Sequence, residues 1–409
     1  MEYRDQLEYI KSHKYTEEED RKRRKTKKTK KKKISTFDKR LWRVLFFVSI
    51  LFVVIMALVD FFPIPYLIGM SGVLLSILMI IKIMQMRACR NQQRKRMPKG
   101  RFASFLMIAA LGIGGFYLLQ INMAIDEVAI GEESGAYTEE HQIDVTQNPF
   151  NIYVSGIDVY GEITTESRSD VNLIVTVNPK THEILITTTP RDYYVTIPGV
   201  SGNYKDKLTH AGIYGIDASV ATLENLYDTE IPFYARVNFT SVIDIVDAMG
   251  GINVESEVAF TTSKAAGVVV EIEEGKNHLN GEEALAFVRE RKAFVDGDHQ
   301  RGKNQQALLT ALIKKAVSPL ILVQANDIID GIVGNAETNM SEAQIKSLIE
   351  MQLNDLKGWD IESVAASGDD SGKQYCYSYS GGPLYVCVPD ESSVMSIHDR
   401  IEALLTKEK

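Results

Sequence analysis

Five arginines sit in short polar motifs between Ser167 and Gln305: Arg168, Arg191, Arg289, Arg291 and Arg301. Each adjoins an Asp, Glu or Gln, as in Arg168-Ser-Asp170, Pro190-Arg191-Asp192, Arg289-Glu290-Arg291 and Arg301-Gly-Lys-Asn-Gln305. A guanidinium is a planar fork of donors that fits phosphate oxygens two at a time. Gathered in an otherwise acidic region, such groups point to an anionic ligand, and a diphosphate suits them best.

Carboxylates accompany the arginines. Asp158 ends an apolar strand (152–158), and Asp170 opens the next one after a Gly/Ser/Thr-rich loop. If those strand ends meet, two hard oxygen ligands stand beside Arg168. That suits Mg²⁺, with Mn²⁺ as a substitute, because such an ion takes few carboxylates and completes its shell with phosphate oxygens and water. Either Asp alone reads as a turn cap. In Thr187-Thr-Thr-Pro190-Arg191-Asp192 the proline stops a strand, which puts Arg191 at a sheet edge with Asp192 as an orienting partner. Asp170 and Asp192 are the candidate bases. Arg289 and Arg291 would diverge by roughly 200° on a helix but point the same way in extended chain. The chain is therefore expected to leave its helix near Val288, with Glu290 as a simple surface residue.

In the helix expected from Gln300, Arg301 and Gln305 lie four apart, and Leu308 or Leu309 and then Leu312 continue the stripe. One face would thus run from polar groups into hydrocarbon, a gradient that fits a lipid diphosphate. The leucines alone fit an ordinary amphipathic core helix. His210 and His299 are further acid/base candidates, although a lone histidine is more often structural. There is no G-x-x-x-x-G-K-[ST] loop, G-x-S-x-G elbow or H-E-x-x-H pair.

Strand and helix signals alternate from Asn151 onward. Residues 171–177 and 183–189 read as a hairpin across Asn178-Pro-Lys-Thr181, and helices are expected over 215–227, 241–249, 281–288, 300–317 and from a Ser341 cap to 356. The pattern predicts an α/β fold, an α/β/α sandwich with a mixed central sheet. Three apolar runs precede it, near 41–59, 66–83 and 102–123, each long enough to cross a bilayer. The chain then divides into a basic arm (1–40), three transmembrane helices with a basic loop at 82–101 (41–123), a linker (124–147), a catalytic domain (148–320) and an extension packed on it (321–409).

The net charge of −8 conceals strong polarity, with eleven basic side chains in residues 21–33. Positive residues stay cytoplasmic, so the arm and the 82–101 loop are placed on the cytoplasmic side of a cell membrane and the C-terminal region outside. The arm reads as a topology signal that also touches anionic membrane lipid; nucleic acid is the disfavoured partner. The first apolar run starts too late and is too long for a cleavable signal peptide. Of three cysteines, Cys89 lies in the basic loop. Cys376 and Cys387 flank a Tyr-Ser-Tyr-Ser-Gly-Gly-Pro turn, where they either form a disulfide or remain free thiols.

The blocks Gly156-Ile-Asp158, Arg168-Ser-Asp170, Thr-Pro190-Arg191-Asp192, Phe287-Val-Arg289-Glu-Arg291 and Asp298-His-Gln-Arg301-Gly-Lys-Asn-Gln305 resemble the signature blocks of the LytR-CpsA-Psr family. The triple-span N-terminus is similar to that family's capsule-operon branch. The resemblance implies an enzyme that moves a glycopolymer from a polyprenyl-diphosphate carrier to a peptidoglycan acceptor, with Mg²⁺ and a buried polyprenyl pocket. It makes Asp158 and Asp170 the metal ligands, and Arg168, Arg191, Arg289, Arg291, Arg301 and Gln305 the diphosphate-binding set. Asn304 stands where many relatives have Arg, leaving one contact missing or supplied by Lys303. Other capsule-synthesis proteins are implied partners. The alternatives are a membrane-bound regulator of polysaccharide synthesis and a polyprenyl-diphosphate phosphatase.

Overall fold

The three apolar runs form helices α1 (Thr36–Val59), α2 (Ile64–Arg90) and α3 (Lys99–Val128) in the computed structural model. The structure describes residues 36–59, 62, 64–90, 99–128, 143–157, 167–295, 297–318 and 336–408. Spans within the three helices have mean hydropathies of 2.6, 2.3 and 2.0, enough to cross a membrane. They pack through Leu45, Leu74, Leu78, Ile81 and Leu111. An Arg101–Asp38 ion pair at 2.6 Å joins the starts of α1 and α3, and Gln85 near the end of α2 donates to Ser104 at 3.0 Å. The start of α1, the end of α2 and the start of α3 therefore lie at the same end of this helical unit.

The remaining chain is a second unit, built on strands β1 (Phe150–Ile157), β2 (Ser169–Asn178), β3 (Glu183–Thr188), helix α4 (Ile216–Tyr227), β4 (Phe233–Asn238), α5 (Phe239–Ala248), the hairpin strands β5 (Ile252–Ser256) and β6 (Gly275–Leu279), α6 (Gly281–Arg289), α7 (Gly297–Ala316), β7 (Ala336–Thr338), α8 (Glu342–Asp355), β8 (Asp360–Ala365), β9 (Gly368–Gln374), β10 (Leu384–Pro389) and α9 (Glu391–Leu405). The central sheet is mixed, in the order β7-β4-β1-β2-β3-β8. Strands β1, β3, β4 and β8 run one way, β2 and β7 the other.

Side chains alternate across the strands, so the sheet has two apolar faces. Tyr153, Ile174 and Leu185 meet Val220 and Leu223 of α4 and Ile397 and Ile401 of α9. Leu173, Val175, Ile184 and Ile186 meet Leu309 and Ile313 of α7 and Ile345 and Leu348 of α8. This is the expected α/β/α sandwich. The segment after 320, expected as an extension packed on the domain, instead supplies both edge strands, β7 and β8. The apolar residues of 360–365 are few, so their place in the sheet is set by pairing with β3 and not by a strong sequence pattern. Caps fix the helix starts: Asn238, Asn280 and Ser341 each accept from the third backbone N–H of their helix, with reciprocal bonds back.

Candidate functional site

The candidate residues gather at one edge of the sheet. That edge carries the C-terminal ends of β1, β3, β4 and β8 and the N-terminal end of β2, the side on which open α/β sheets place ligands. Close packing holds the backbone here. A Cβ at Gly156, the next-to-last residue of β1, would lie 2.8 Å from the Val171 side chain. A Cβ at Gly212 would lie 2.5 Å from the Ser167 carbonyl oxygen and 2.9 Å from the Ser169 nitrogen, so glycine lets the Ser167–Ser169 segment approach.

Asp170, Thr188, Arg191, Asp192, Arg301, Gly302 and Gln305 line a cavity of about 40 Å³ at this edge. Arg191 lies just beyond β3, after Pro190, and its Nη1 donates to Asp170 Oδ1 at 2.7 Å. Its Nε is 3.5 Å from Asp192 Oδ2. Asp192 Oδ1 accepts from Lys207 Nζ at 2.7 Å, so both Asp192 oxygens are engaged. Asp170 is freer, because among the described residues its Oδ2 accepts no hydrogen bond. Arg301, in the second turn of α7, is 8 % exposed, and its Nη2 lies 3.5 Å from the Asp170 carbonyl oxygen. Gln305 is one helical turn further on. Gly302 lets the helix approach β3, since its Cβ would be 3.3 Å from Thr188 Cγ2.

Thr188 was not singled out by the sequence reading. Its Oγ1 is buried without a hydrogen-bond partner, yet the residue lines the cavity. A buried hydroxyl left unpaired is destabilising, so an oxygen-rich ligand at this point would satisfy it. Its position in the Thr187-Thr-Thr run, directly before Pro190-Arg191, was the available signal.

The other arginines do not line the cavity. Arg168 is exposed just before β2. Arg289 is the last residue of α6, and its guanidinium lies 4.3 Å from the Phe239 ring centroid, at the end of β4. Arg291 follows, and Glu290 between them is extended, so the helix ends one residue later than expected. Glu290 is not a surface residue. It is fully buried and accepts from the backbone N–H groups of Ser263, Arg291 (2.9 Å) and Ala293 (3.0 Å). Burial pushes its pKa up, but those hydrogen bonds outweigh it and the net shift is downward. It fixes the turn carrying Arg289 and Arg291.

The leucine stripe of α7 is not a channel into hydrocarbon. Leu308 and Leu312 pack with the α5–α6 cluster, while Leu309 packs on the sheet, because α7 is wedged between two cores. Among the described residues, the cavity beside the arginines has room for a few water molecules. A larger groove of about 850 Å³ lies along another face of α7, lined in part by Met249, Ile252, Ala307, Ala311, Lys303 and Lys314. Lys303 pairs with Glu257 at 2.6 Å and faces this groove, so it does not replace an arginine at the cavity. Asn304 is buried and donates to the Phe287 carbonyl oxygen at 2.9 Å, tying α7 to α6.

His210 lies outside the cavity. Its Nδ1 contacts Asp206 Oδ1 at 2.6 Å and Ser378 Oγ at 2.8 Å. Both partners share one nitrogen, which makes this a structural clasp and not a nucleophile relay. Cys376 and Cys387 are free and buried, and burial pushes the Cys376 thiol up to about 11. Asp158, the His299 side chain and the Cys89 side chain lie outside what the structure describes. Among the described residues no cluster of three or more His, Cys, Asp or Glu could hold a metal. A hard divalent ion bridging phosphate oxygens needs fewer, and the open Asp170 oxygen at the cavity fits that chemistry.

Comparisons with known proteins agree with this arrangement. The LytR_cpsA_psr family model matches residues 117–385. The polyisoprenyl-teichoic acid–peptidoglycan teichoic acid transferase TagU of Bacillus anthracis is 30 % identical over 296 residues, which span 70 % of this chain and 92 % of that protein. TagT of Bacillus subtilis, of the same description, is 33 % identical over 184 residues, 42 % of this chain but only 56 % of its own length. The crystal structure of B. subtilis TagV superposes with a TM-score of 0.53 at 28 % identity, covering 64 % of this chain and 99 % of that one. TagT bound to LIIa-WTA gives 0.51 at 28 %, covering 65 % and 94 %. With its sandwich fold and its arginine-lined sheet edge, this chain belongs to the LytR-CpsA-Psr family.

Proposed function

We propose that this chain is a membrane-anchored cell-envelope glycopolymer transferase that moves a polysaccharide or teichoic-acid-like polymer from a polyprenyl diphosphate to peptidoglycan. The observation that carries the reading is the convergence of Arg191, Arg301, Gln305, Asp170 and the unpaired Thr188 hydroxyl on one cavity at the carboxyl edge of the sheet. Two guanidinium groups and a hydroxyl suit the oxygens of a diphosphate. The named substrates of the related TagU and TagT proteins supply its lipid and sugar components.

A peptidoglycan hydroxyl attacks the sugar-proximal phosphorus, a phosphodiester forms, and polyprenyl phosphate leaves. Arg191 and Arg301 neutralise charge on the equatorial and leaving oxygens, where preorganised donors contribute most. Arg168, Arg289 and Arg291 lie along the same edge and hold the outer parts of the headgroup. Asp170 has the carboxylate oxygen free to take the hydroxyl proton or to ligate a metal, and one group does not do both well. Asp170 and Asp158 would hold Mg²⁺, which would supply further charge neutralisation at the phosphates. The reading places only the diphosphate in the cavity.

The basic residues of the arm and of the 82–101 loop support a cytoplasmic N-terminus, with the catalytic domain on the cell-wall side of the membrane. The test is product analysis with the full-length protein, a synthetic polyprenyl-diphosphate glycan and purified peptidoglycan. The reading predicts a wall-linked phosphodiester and polyprenyl monophosphate. Release of glycan phosphate with no wall-linked product, whether or not peptidoglycan is present, would establish a hydrolase instead.

A further inference from the structure

A third carboxylate lines the cavity with Asp170 and Asp192. Asp370 belongs to β9, in the segment beyond 320, and shares the lining with Arg191, Arg301 and Gln305. The hairpin of β9 and β10 is irregular where it meets the site. Asp369 pairs with Val388 and Gly372 with Val386, so residues 370 and 371 together oppose Cys387 alone. A bulge of this kind re-aims a side chain and recurs beside active sites.

Backbone contacts anchor the bulge to the strand end that carries Arg191. Tyr193 and Cys387 form a parallel bridge, and the Cys387 N–H donates to the Asp192 carbonyl at 2.8 Å. The Tyr193 hydroxyl donates to the Ser367 carbonyl at 2.6 Å. Inside the bulge the buried Cys387 thiol meets Asp370. Burial first, and then the hydrogen bond to that carboxylate, push the thiol up, so it stays an uncharged donor.

Transfer needs an acceptor for the proton of the incoming hydroxyl, and the other two carboxylates already have tasks. Asp192 turns one oxygen to Lys207 and the other to Arg191, so a proton there would disturb a charge-assisted contact. Asp170 Oδ1 accepts from Arg191, and its other oxygen is the one suited to a metal ion. Asp370 reaches the same cavity from a different element.

On the strength of the transferase reading above, we infer that Asp370 is the catalytic base that takes the acceptor hydroxyl's proton. The acceptor oxygen bonds to the sugar-proximal phosphorus as its proton passes to an Asp370 carboxylate oxygen. The bond from that phosphorus to the bridging oxygen breaks, and its electron pair leaves with polyprenyl phosphate. Water then takes the proton from Asp370.

The test follows single-turnover transfer by the full-length protein in detergent, from a synthetic polyprenyl-diphosphate glycan to peptide-stripped peptidoglycan strands. Asp370→Asn, which keeps the shape of the side chain, should slow transfer about 10²- to 10⁴-fold at neutral pH, the usual contribution of a positioned base. Its melting temperature should hold, and its affinity for a non-hydrolysable polyprenyl-diphosphate analogue should not fall. Its residual rate should climb about tenfold per pH unit in mild alkali, because only ionised hydroxyl can then attack, whereas the wild type should change less than about threefold per unit. Asp369→Asn makes the same charge change on the exposed neighbour and should stay within about twofold. An Asp370→Asn rate within about fivefold of wild type overturns the inference. So does a loss that is equal at every pH, or one accounted for by weaker donor binding. Failure of the transferase reading shows separately, as absence of wall-linked product with the wild type. The same variant is then compared with wild type on release of glycan phosphate, with water as the attacking hydroxyl, and the same outcomes decide.

Discussion

Replacing Arg301 with alanine separates the structural account from the sequence pattern, in which five arginines look equivalent. Arg301 is 8 % exposed at the cavity, whereas Arg168 is exposed and outside it. A guanidinium about 4 Å from a phosphate charge is worth roughly 4 kcal/mol at an effective dielectric constant of about 20. Part of that already favours bound donor. The part that grows as charge builds on the leaving oxygen sets the rate, and loss of one such donor typically costs about 10²- to 10³-fold. Arg301→Ala should therefore slow single-turnover transfer by about 10²- to 10³-fold. Arg168→Ala, in a water-screened position, should slow it no more than about fivefold. The assay follows labelled glycan moving from a synthetic polyprenyl diphosphate to peptidoglycan, with thermal melting run alongside to show that both variants fold. A rate for Arg168→Ala equal to or below that of Arg301→Ala would refute the ranking drawn from the geometry.

Thr188→Val keeps the side chain's shape and removes a buried hydroxyl without a partner, so the melting temperature should hold or rise while donor affinity falls about tenfold; unchanged affinity in a binding titration would remove Thr188 from the site. Glu290→Gln replaces a buried carboxylate that accepts three backbone N–H groups and should cost about 2–3 kcal/mol in chemical denaturation at pH 7. Because the folded pKa of Glu290 lies below its ordinary value of 4.5, its stabilisation is complete above that value and fades as pH falls through the folded pKa. The difference between wild type and Glu290→Gln should therefore shrink in acid; a constant difference from pH 7 to pH 3 would contradict it. At Gly212, φ is −61°, so alanine meets no backbone strain. The clash at 2.5 Å from the Ser167 oxygen should still cost about 1–3 kcal/mol and reduce transfer, measured by melting and turnover. Cys376 and Cys387 should react with a thiol reagent only slowly at pH 8 in the folded protein, since both are buried and both thiols are pushed up; a reductant-sensitive melting temperature would show that they pair instead.

The sandwich was legible because the strands at 152–157, 171–177 and 184–188 are dense in β-branched and aliphatic residues and punctuated by Asn178-Pro179 and Pro190. Arg191, Arg301, Gln305 and Asp170 were legible as candidates because each lies at a strand end or near a helix start, and the fold brings them to one cavity. Three features were hidden for physical reasons. Glu290 reads as surface because a charged residue between two arginines gives no hint that backbone donors surround it. Strand β8 is half exposed, so its sequence does not alternate. The leucines of α7 fit a core helix and a lipid-lined one equally well, and only their division between two clusters decides. Fewer of the arginines converge than spacing suggested, with only Arg191 and Arg301 at the cavity.

The most direct test is a crystal structure of the full-length protein with a non-hydrolysable polyprenyl-diphosphate analogue. The account predicts both phosphorus atoms at the carboxyl edge of the sheet, with phosphate oxygens within hydrogen-bonding distance of Arg191, Arg301 and the Thr188 hydroxyl. A diphosphate lodged instead in the lysine-bordered groove along α7, away from Arg191 and Arg301, would contradict it.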